Sequence, residues 1–273
     1  SPAVRGSISL TFSERNPYSE LLINGGFKNH LVYSLVKRCY RWAPKIIANS
    51  KQTADDLSAF SQCSVRACYN PTISDRLTDK NGAARMFSDY GVPHDLPVVL
   101  GVGRLSYQKG FDLLIRAFAI NNISSRSSLV LIGDGPLRAD LILLTQELGV
   151  ASSVYFLGFV DRPYDLIRQA NLFVLSSRYE GLPNVLIEAL YLGVKCVSFD
   201  IKSGPKEILE EGSLGLLVDE GDIDALSESI SDGLDNLDSN AGDREMQRLI
   251  ERFGKLEAGR KFANLVLGDG HGE

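Results

Sequence analysis

The 273-residue chain is predicted to be an α/β protein built on a doubly wound parallel sheet, and three observations carry that reading. From about Pro97 onward, short apolar runs alternate with stretches of helical periodicity. Strands whose apolar residues occupy successive positions are buried on both faces, as in a parallel sheet covered by helices. Six such units follow in regular alternation, which is the pattern of an open α/β sheet.

Taken in order, the front section differs from the body. Ser7–Phe12 reads as a strand followed by a polar loop, Ser13–Tyr18. Leu31–Trp42 reads as a helix with Leu31, Leu35 and Cys39 on one stripe. Lys45–Ala48 is a short strand, and Ser50 is placed to cap a helix at Gln52–Phe60. Val65–Tyr69 is a further strand, ended by the turn signal Asn70-Pro71. These are about two βα units, too few for a free-standing core, so residues 1–74 are expected to be the remnant of a domain that begins outside the sequence. Residues 75–96 fit a linker with a short helix.

In the body, the strands are expected at Val98–Val102, Leu129–Ile132, Val154–Leu157, Leu172–Leu175, Lys195–Phe199 and Leu214–Val218. The helices between and after them are expected at Phe111–Ala119, Pro136–Leu148, Pro163–Gln169, Asn184–Leu192, Pro205–Glu210 and Ile223–Gly233. Asp243–Leu267 reads as one long amphipathic helix bent at Gly254 and Gly259, with Met246, Leu249, Ile250, Phe253, Leu256, Phe262 and Leu265 as its apolar stripe.

Composition narrows the function classes. At roughly 150 residues per domain the length suits about two domains. Apolar residues make up 44% and charged residues 23%, values that exclude wholesale disorder. No apolar run approaches the ~18 residues of a membrane span, and no basic-then-apolar leader opens the sequence. The net charge of -5 is uneven. Residues 1–72 carry nine Lys/Arg against four Asp/Glu, and the remainder 20 against 30, so a uniformly basic nucleic-acid binder is not indicated. Cys39, Cys63, Cys68 and Cys196 form no Cys-x-x-Cys pair, and His30, His94 and His271 are the only histidines. Structural zinc therefore lacks its ligands, and reduced thiols suit a cytoplasmic setting.

The stretch Ser176–Glu188 leaves a buried strand and enters a helix, and in open parallel sheets ligands sit at such carboxyl ends. Gly181 permits the turn, and Pro183 suits the first helical turn. The helix start offers unpaired amides and a positive dipole end to a phosphate or diphosphate. Glu180 in the loop and Glu188 one turn into the helix then flank that anion site. Carboxylates there suit sugar hydroxyls better than phosphates, which together suggest a nucleotide sugar; the bland alternative is a capping carboxylate and a solvated helix Glu.

A second element, Gly101 to Gly110, also follows a strand. Gly103 permits close approach, while Arg104 and Lys109 supply a forked and a point-charge contact to phosphate. As a dinucleotide fingerprint it fails, because Ser106 stands at the third glycine and no acid follows at the ribose position; a polar surface loop is the alternative. Gly133-Asp134-Gly135-Pro136 reads as a structural turn. Phe159 and Val160 follow another strand end and are candidates for base contacts. Ser203-Gly204-Pro205-Lys206-Glu207 is a lesser candidate for sugar or phosphate. Lys28, Lys37, Arg38, Arg41 and Lys45 form an acid-free run interleaved with Tyr33, Tyr40 and Trp42, either the solvated face of a helix or a contact with anionic lipid.

These motifs together resemble the family-4 glycosyltransferases. Glu180 and Glu188 stand as Glu-x7-Glu with Gly-Leu-Pro-Asn between them. Gly-Arg-Leu…Lys-Gly at 103–110, Gly-Asp-Gly-Pro at 133–136, Leu-Gly-Phe at 157–159, Glu-Ala-Leu at 188–190 and Gly-Leu-Leu-Val at 215–218 follow in that family's order. Residues 43–72 resemble the end of its first domain. The resemblance implies a glycosyltransferase B fold of two Rossmann-like domains, with 1–74 the acceptor-side remnant, 75–96 a linker, 97–240 the nucleotide-sugar-binding domain and 241–273 a crossover helix and tail. By position, Arg104 and Lys109 would neutralise the donor diphosphate, Glu188 would hold the ribose and Glu180 the transferred sugar. Amides around Leu182, Pro183 and Asn184, with Gly181, would complete the diphosphate site.

The resemblance further implies a retaining enzyme of bacterial cell-envelope type, without metal or other cofactor, cytoplasmic and in peripheral contact with the inner membrane at most. It would move a hexose or N-acetylhexosamine from a donor, uridine-linked by resemblance alone, to a glycan or lipid-linked acceptor. The sequence departs from the family's pattern after the first strand, where many members carry a donor-contacting His and this chain has Ser13-Glu14-Arg15-Asn16-Pro17. The alternatives are a nucleotide-sugar-binding module without turnover, or an epimerase on a similar fold.

Overall fold

The computed structural model describes residues 11–15, 37–40, 42, 45–78, 85–236 and 242–267. Two all-parallel sheets organise them. The front sheet has the order β1 (Thr11–Glu14), β2 (Lys45–Ala48), β3 (Val65–Ala67). Helix α1 (Lys51–Ser61) runs between β2 and β3 and is capped by Ser50, whose hydroxyl accepts from the Thr53 amide at 3.0 Å. Tyr40, Ile46 and Leu57 form its small core.

The body contains β4 (Val98–Val102), β5 (Ser128–Ile132), β6 (Val154–Gly158), β7 (Leu172–Leu175), β8 (Lys195–Asp200) and β9 (Leu216–Asp219), in the order β6-β5-β4-β7-β8-β9. The apolar runs are continuous because both faces are covered. Leu100, Val130 and Phe173 enter one core with Ile187, Leu249 and Phe253. Their neighbours Val99, Leu129, Leu131 and Val174 enter the other, with Phe118 and Leu226. Side chains of a strand alternate between faces, so each run feeds both cores.

The helices in chain order are α2 (Asp75–Thr78), α3 (Phe111–Phe118), α4 (Ile123–Arg126), α5 (Arg138–Glu147), α6 (Tyr164–Gln169), α7 (Asn184–Tyr191), α8 (Pro205–Ile208), α9 (Ile223–Asp235), α10 (Asp243–Phe253) and α11 (Lys255–Leu267). In α3, Phe111, Leu114, Ile115 and Phe118 are buried at the spacing of one helical face. Asp222 caps α9 by accepting from the Ala225 amide at 2.9 Å.

Several boundaries differ from the sequence expectations. The first strand is Thr11–Glu14 rather than Ser7–Phe12, of which 7–10 lie outside the described residues. It runs into the polar stretch because β2 pairs with it from Thr11 to Glu14, and pairing outweighs local composition. The expected helix at Leu31–Trp42 is described only at 37–40, where Tyr40 is buried and Cys39 exposed, opposite to the expected stripe. Leu31 and Leu35 lie outside the described residues.

The long terminal helix is two helices. The break falls at Gly254, where the segment after β3 docks: the Ile73 amide donates to the Phe253 carbonyl at 3.0 Å and the Lys255 amide to the Ile73 carbonyl at 2.9 Å. The expected bend at Gly259 is absent, and α11 continues through it. Leu249 and Phe253 are fully buried, whereas Leu256 is 81% exposed and Phe262 is also exposed, so the apolar stripe ends with α10. No described helix is long and apolar enough to cross a membrane.

Candidate functional site

The strand order reverses direction at β4, whose neighbours are β5 and β7, so a crevice opens outside the carboxyl ends of β4 and β7. Both acidic and basic candidates leave the sheet there. The loop after β4 passes through a 3₁₀ turn at Tyr107–Lys109 to Gly110, and the loop after β7 runs to the start of α7. Gly110 has φ +60°, and an added Cβ would lie 2.0 Å from the Ser176 carbonyl oxygen, so the two loops touch backbone to backbone. The Arg178 amide donates to the Gln108 carbonyl at 2.8 Å, and Gln108 Nε2 to the Tyr179 carbonyl at 3.0 Å. Arg178 also forks onto Asp112 at 2.9 and 2.6 Å and stacks on the Tyr107 ring at 4.1 Å. Burial raises the Asp112 carboxyl, but the bonds and charge of Arg178 outweigh it and hold the group below the usual carboxylate range.

Within this frame Lys109 crosses Gly103, where an added Cβ would sit 3.1 Å from Lys109 Cε, and its ammonium meets Glu180 Oε1 at 2.5 Å. Glu180 is 7% exposed and accepts a second bond at the same oxygen from Ser177 Oγ at 2.7 Å. The carboxylate is neither a cap nor solvated. Arg104 is exposed, and its guanidinium has no hydrogen-bond or ion-pair partner among the described residues.

Glu188 lies on the first turns of α7, half-buried, and its carboxyl is likewise without a hydrogen-bond partner among the described residues. Burial pushes its carboxyl up to about 7. An uncompensated acid is costly in a folded chain, which makes Glu188 a candidate functional position.

Gly181, Leu182 and Pro183 are buried, and α7 begins at Asn184. Pro183 has no amide hydrogen, so the donors at this helix start belong to Asn184 and the residues after it. The Asn184 side chain is turned elsewhere, its Oδ1 accepting from Asn70 Nδ2 at 3.0 Å and Thr72 Oγ1 at 3.1 Å. Beside Arg104 a cavity of about 510 Å³ is lined by Val102, Gly103, Arg104, Phe159, Val160 and neighbours from the ends of β5 and β6. Phe159 is 80% exposed at its rim, and Val160 is buried. The turn at Gly133–Pro136 packs under the β4 loop, with the Leu105 amide on the Asp134 carbonyl at 3.0 Å.

The lesser candidates Ser203 and Glu207 face the front unit. Ser203 Oγ contacts Ser50 Oγ and Thr53 Oγ1, each at 2.9 Å, and donates to the Gly181 carbonyl at 2.8 Å. Glu207 accepts from the Lys51 amide at 3.2 Å and from the Tyr69 hydroxyl. The front unit thereby forms a wall of the β7–α7 loop. An added Cβ on Gly181 would lie 1.7 Å from the Arg15 carbonyl, which accepts from Asn49 Nδ2 at 3.1 Å. Ser50, Thr53, Ser177 and Asn49 were not singled out from the sequence as site residues. Only Ser177, three residues before Glu180, carried a local signal.

Of the basic run, Lys28 and Arg41 lie outside the described residues, as does Tyr33. Lys37 lies over the Phe60 ring at 5.0 Å, and Lys45 donates to the Val266 carbonyl. Trp42 is 85% exposed, while Tyr40 is buried and donates to Glu14 at 3.1 Å.

Known proteins resemble the chain in sequence and in fold. Over 260 residues the chain is 28% identical to N-acetylgalactosamine-N,N'-diacetylbacillosaminyl-diphospho-undecaprenol 4-alpha-N-acetylgalactosaminyltransferase of Campylobacter jejuni subsp. jejuni serotype O:2, covering 95% of this chain and 70% of that protein. It is 30% identical over 218 residues to the lipopolysaccharide core biosynthesis glycosyltransferase LpsE of Rhizobium meliloti, covering 73% of this chain and 63% of the relative. The chain thus spans less than two thirds of the latter's length. The crystal structure of Anabaena Alr3699/HepE in complex with UDP superposes with a TM-score of 0.78 at 22% identity, over 93% of this chain and 71% of that one. At that identity the likeness is one of fold, the glycosyltransferase B type. Residues 83–271, which hold every loop of the crevice contributed by the larger sheet, match the family described as glycosyl transferases group 1, and the chain belongs to that family.

Proposed function

We propose that the chain carries the donor site of a retaining glycosyltransferase that moves a hexose or N-acetylhexosamine from a uridine diphosphate sugar to a glycan or lipid-linked acceptor. The observation that carries this reading is the convergence, at one switch point, of the α7 start with Arg104, Lys109, Glu180 and Glu188. The base would lie in the cavity bounded by Gly103, Phe159 and Val160, with the diphosphate between Arg104 and the first amides of α7. Glu188 would accept from the ribose hydroxyls and Glu180 from the transferred sugar. The printed names of the relatives, which act on undecaprenol-linked and lipopolysaccharide glycans, support the acceptor class. UDP in the Anabaena complex supports the nucleotide.

In the reaction, the acceptor oxygen attacks the anomeric carbon on the face from which the diphosphate departs. The bond from that carbon to the β-phosphate oxygen breaks, and the leaving oxygen takes the acceptor's proton. Charge then grows on the diphosphate, where Arg104, Lys109 and the helix start stabilise it. Calorimetric titration with UDP, GDP and ADP tests the site. UDP is expected to bind best and to weaken at least about tenfold in both Arg104→Ala and Glu188→Ala, a loss of about 1.4 kcal/mol each. A folded wild-type chain that binds none of the three would overturn the reading.

A further inference from the structure

We propose that Ser177 is a positioning residue that holds Glu180 so that one carboxylate oxygen stays open to the transferred sugar. This rests on the donor-site reading above and deepens it. Ser177 lies at the exit of β7, is 1% exposed, and donates to Glu180 Oε1 at 2.7 Å. Lys109 donates to the same oxygen at 2.5 Å. Oε2 accepts no bond among the described residues, yet it is not one of the solvent-excluded orphaned atoms. The carboxyl therefore has one saturated oxygen turned into the protein and one open oxygen.

Lys109 by itself does not enforce that geometry. An ammonium on a flexible stem is a point charge with three donors, and it pairs with either oxygen of a carboxylate or with both. A buried hydroxyl on a strand end donates along one direction. With two donors on Oε1 the carboxyl plane is set; with Lys109 alone the carboxyl can turn and close both oxygens on the ammonium. The neighbouring serine serves the other half of the pair, since Ser176 Oγ donates to the Lys109 carbonyl at 3.1 Å and fixes its backbone. A serine that merely shaped the turn would bond a main-chain group. Ser177 Oγ has no partner among the described residues except the Glu180 carboxylate.

The test compares UDP with UDP-glucose and UDP-N-acetylglucosamine as calorimetric probes on wild type, Ser177→Ala and Ser177→Thr. Because Glu180 is assigned to the sugar, Ser177→Ala should keep UDP affinity within about twofold. It should lose about five- to tenfold of the extra affinity that the sugar confers, within the net range of one typical hydrogen bond. Ser177→Thr, which keeps the hydroxyl, should restore that extra affinity to within about threefold. Equal weakening of UDP and UDP-sugar would mean a collapsed loop and overturn the proposal. So would a Ser177→Ala chain indistinguishable from wild type, or a wild type in which neither sugar adds affinity over UDP. A wild type that binds no uridine nucleotide at all would instead remove the underlying donor-site reading, so the two failures are distinguishable.

Discussion

Glu188 joins stability and binding through one proton. Its carboxyl is pushed up to about 7 by burial and has no counter-charge among the described residues, so ionising it opposes folding. Because the folded value lies above the unfolded one of about 4.5, the native state binds the proton more tightly. Its contribution is fully present below the unfolded value and is lost as pH rises through about 7. Glu188→Gln should therefore match wild type in stability near pH 4. It should be more stable by about 2–3 kcal/mol at pH 8, measured by chemical denaturation at the two pH values.

On the ribose contact proposed for Glu188, binding has the opposite sign, because an ionised carboxylate accepts from a hydroxyl more strongly than the neutral acid does. Affinity for UDP-glucose should fall roughly tenfold from pH 8 to pH 6 in wild type and be flat with pH in the Gln variant. The eight-residue spacing from Glu180 to Glu188 was legible in the chain. That Glu180 is ion-paired while Glu188 is uncompensated was not, because Lys109 reaches Glu180 from the distant loop after β4 and the burial of Glu188 is set by what packs around α7.

At the scale of elements, the crevice depends on two loops in backbone contact. Gly110 combines φ +60° with a Cβ position 2.0 Å from the Ser176 carbonyl, so Gly110→Ala must both strain the backbone and separate the loops. Gly149, at the end of α5, has φ +70° but nothing within 4 Å of an added Cβ. Gly149→Ala should cost about 1 kcal/mol from the left-handed conformation alone, and Gly110→Ala about 3 kcal/mol or more. Thermal unfolding of the two variants separates strain from collision; equal costs would show that the loop contact adds nothing. The glycine was visible in the sequence as a flexible point, but its collision partner lies 66 positions away. The same limit applies to the terminal helix. It reads in the sequence as one helix bent at Gly254 and Gly259; the structure breaks it at Gly254 alone, where Ile73 uses the backbone groups freed there.

For the whole molecule, the front unit matters to the donor loop through a buried set of hydroxyls and one glycine. Ser50, Thr53 and Ser203 are nearly inaccessible, and the first two meet the Ser203 hydroxyl, which donates to the Gly181 carbonyl, while the Arg15 carbonyl occupies the space an added Cβ on Gly181 would need. Gly181→Ala places a methyl 1.7 Å from that carbonyl, so the front unit must move off the loop while both hydrophobic cores of the body remain untouched. Hydrogen exchange should then accelerate at Ile46–Ala48 in β2 and stay unchanged at Val99–Leu100 in β4. Unchanged exchange at both would mean that the seam yields without undocking.

The sequence by itself determined the class of the fold, the positions of the six body strands and the two loops that carry charge. The reason is that burial on both sheet faces leaves continuous apolar runs, and turns into helices require particular residues. Tertiary structure alone decided the strand order, and hence which loops share a switch point. It also decided that Lys109 is ion-paired with Glu180 while the Arg104 guanidinium has no partner among the described residues, and that Asn184, Ser203 and Glu207 face the front unit. Those outcomes depend on contacts between residues far apart in the chain, and such contacts leave no periodic mark in it.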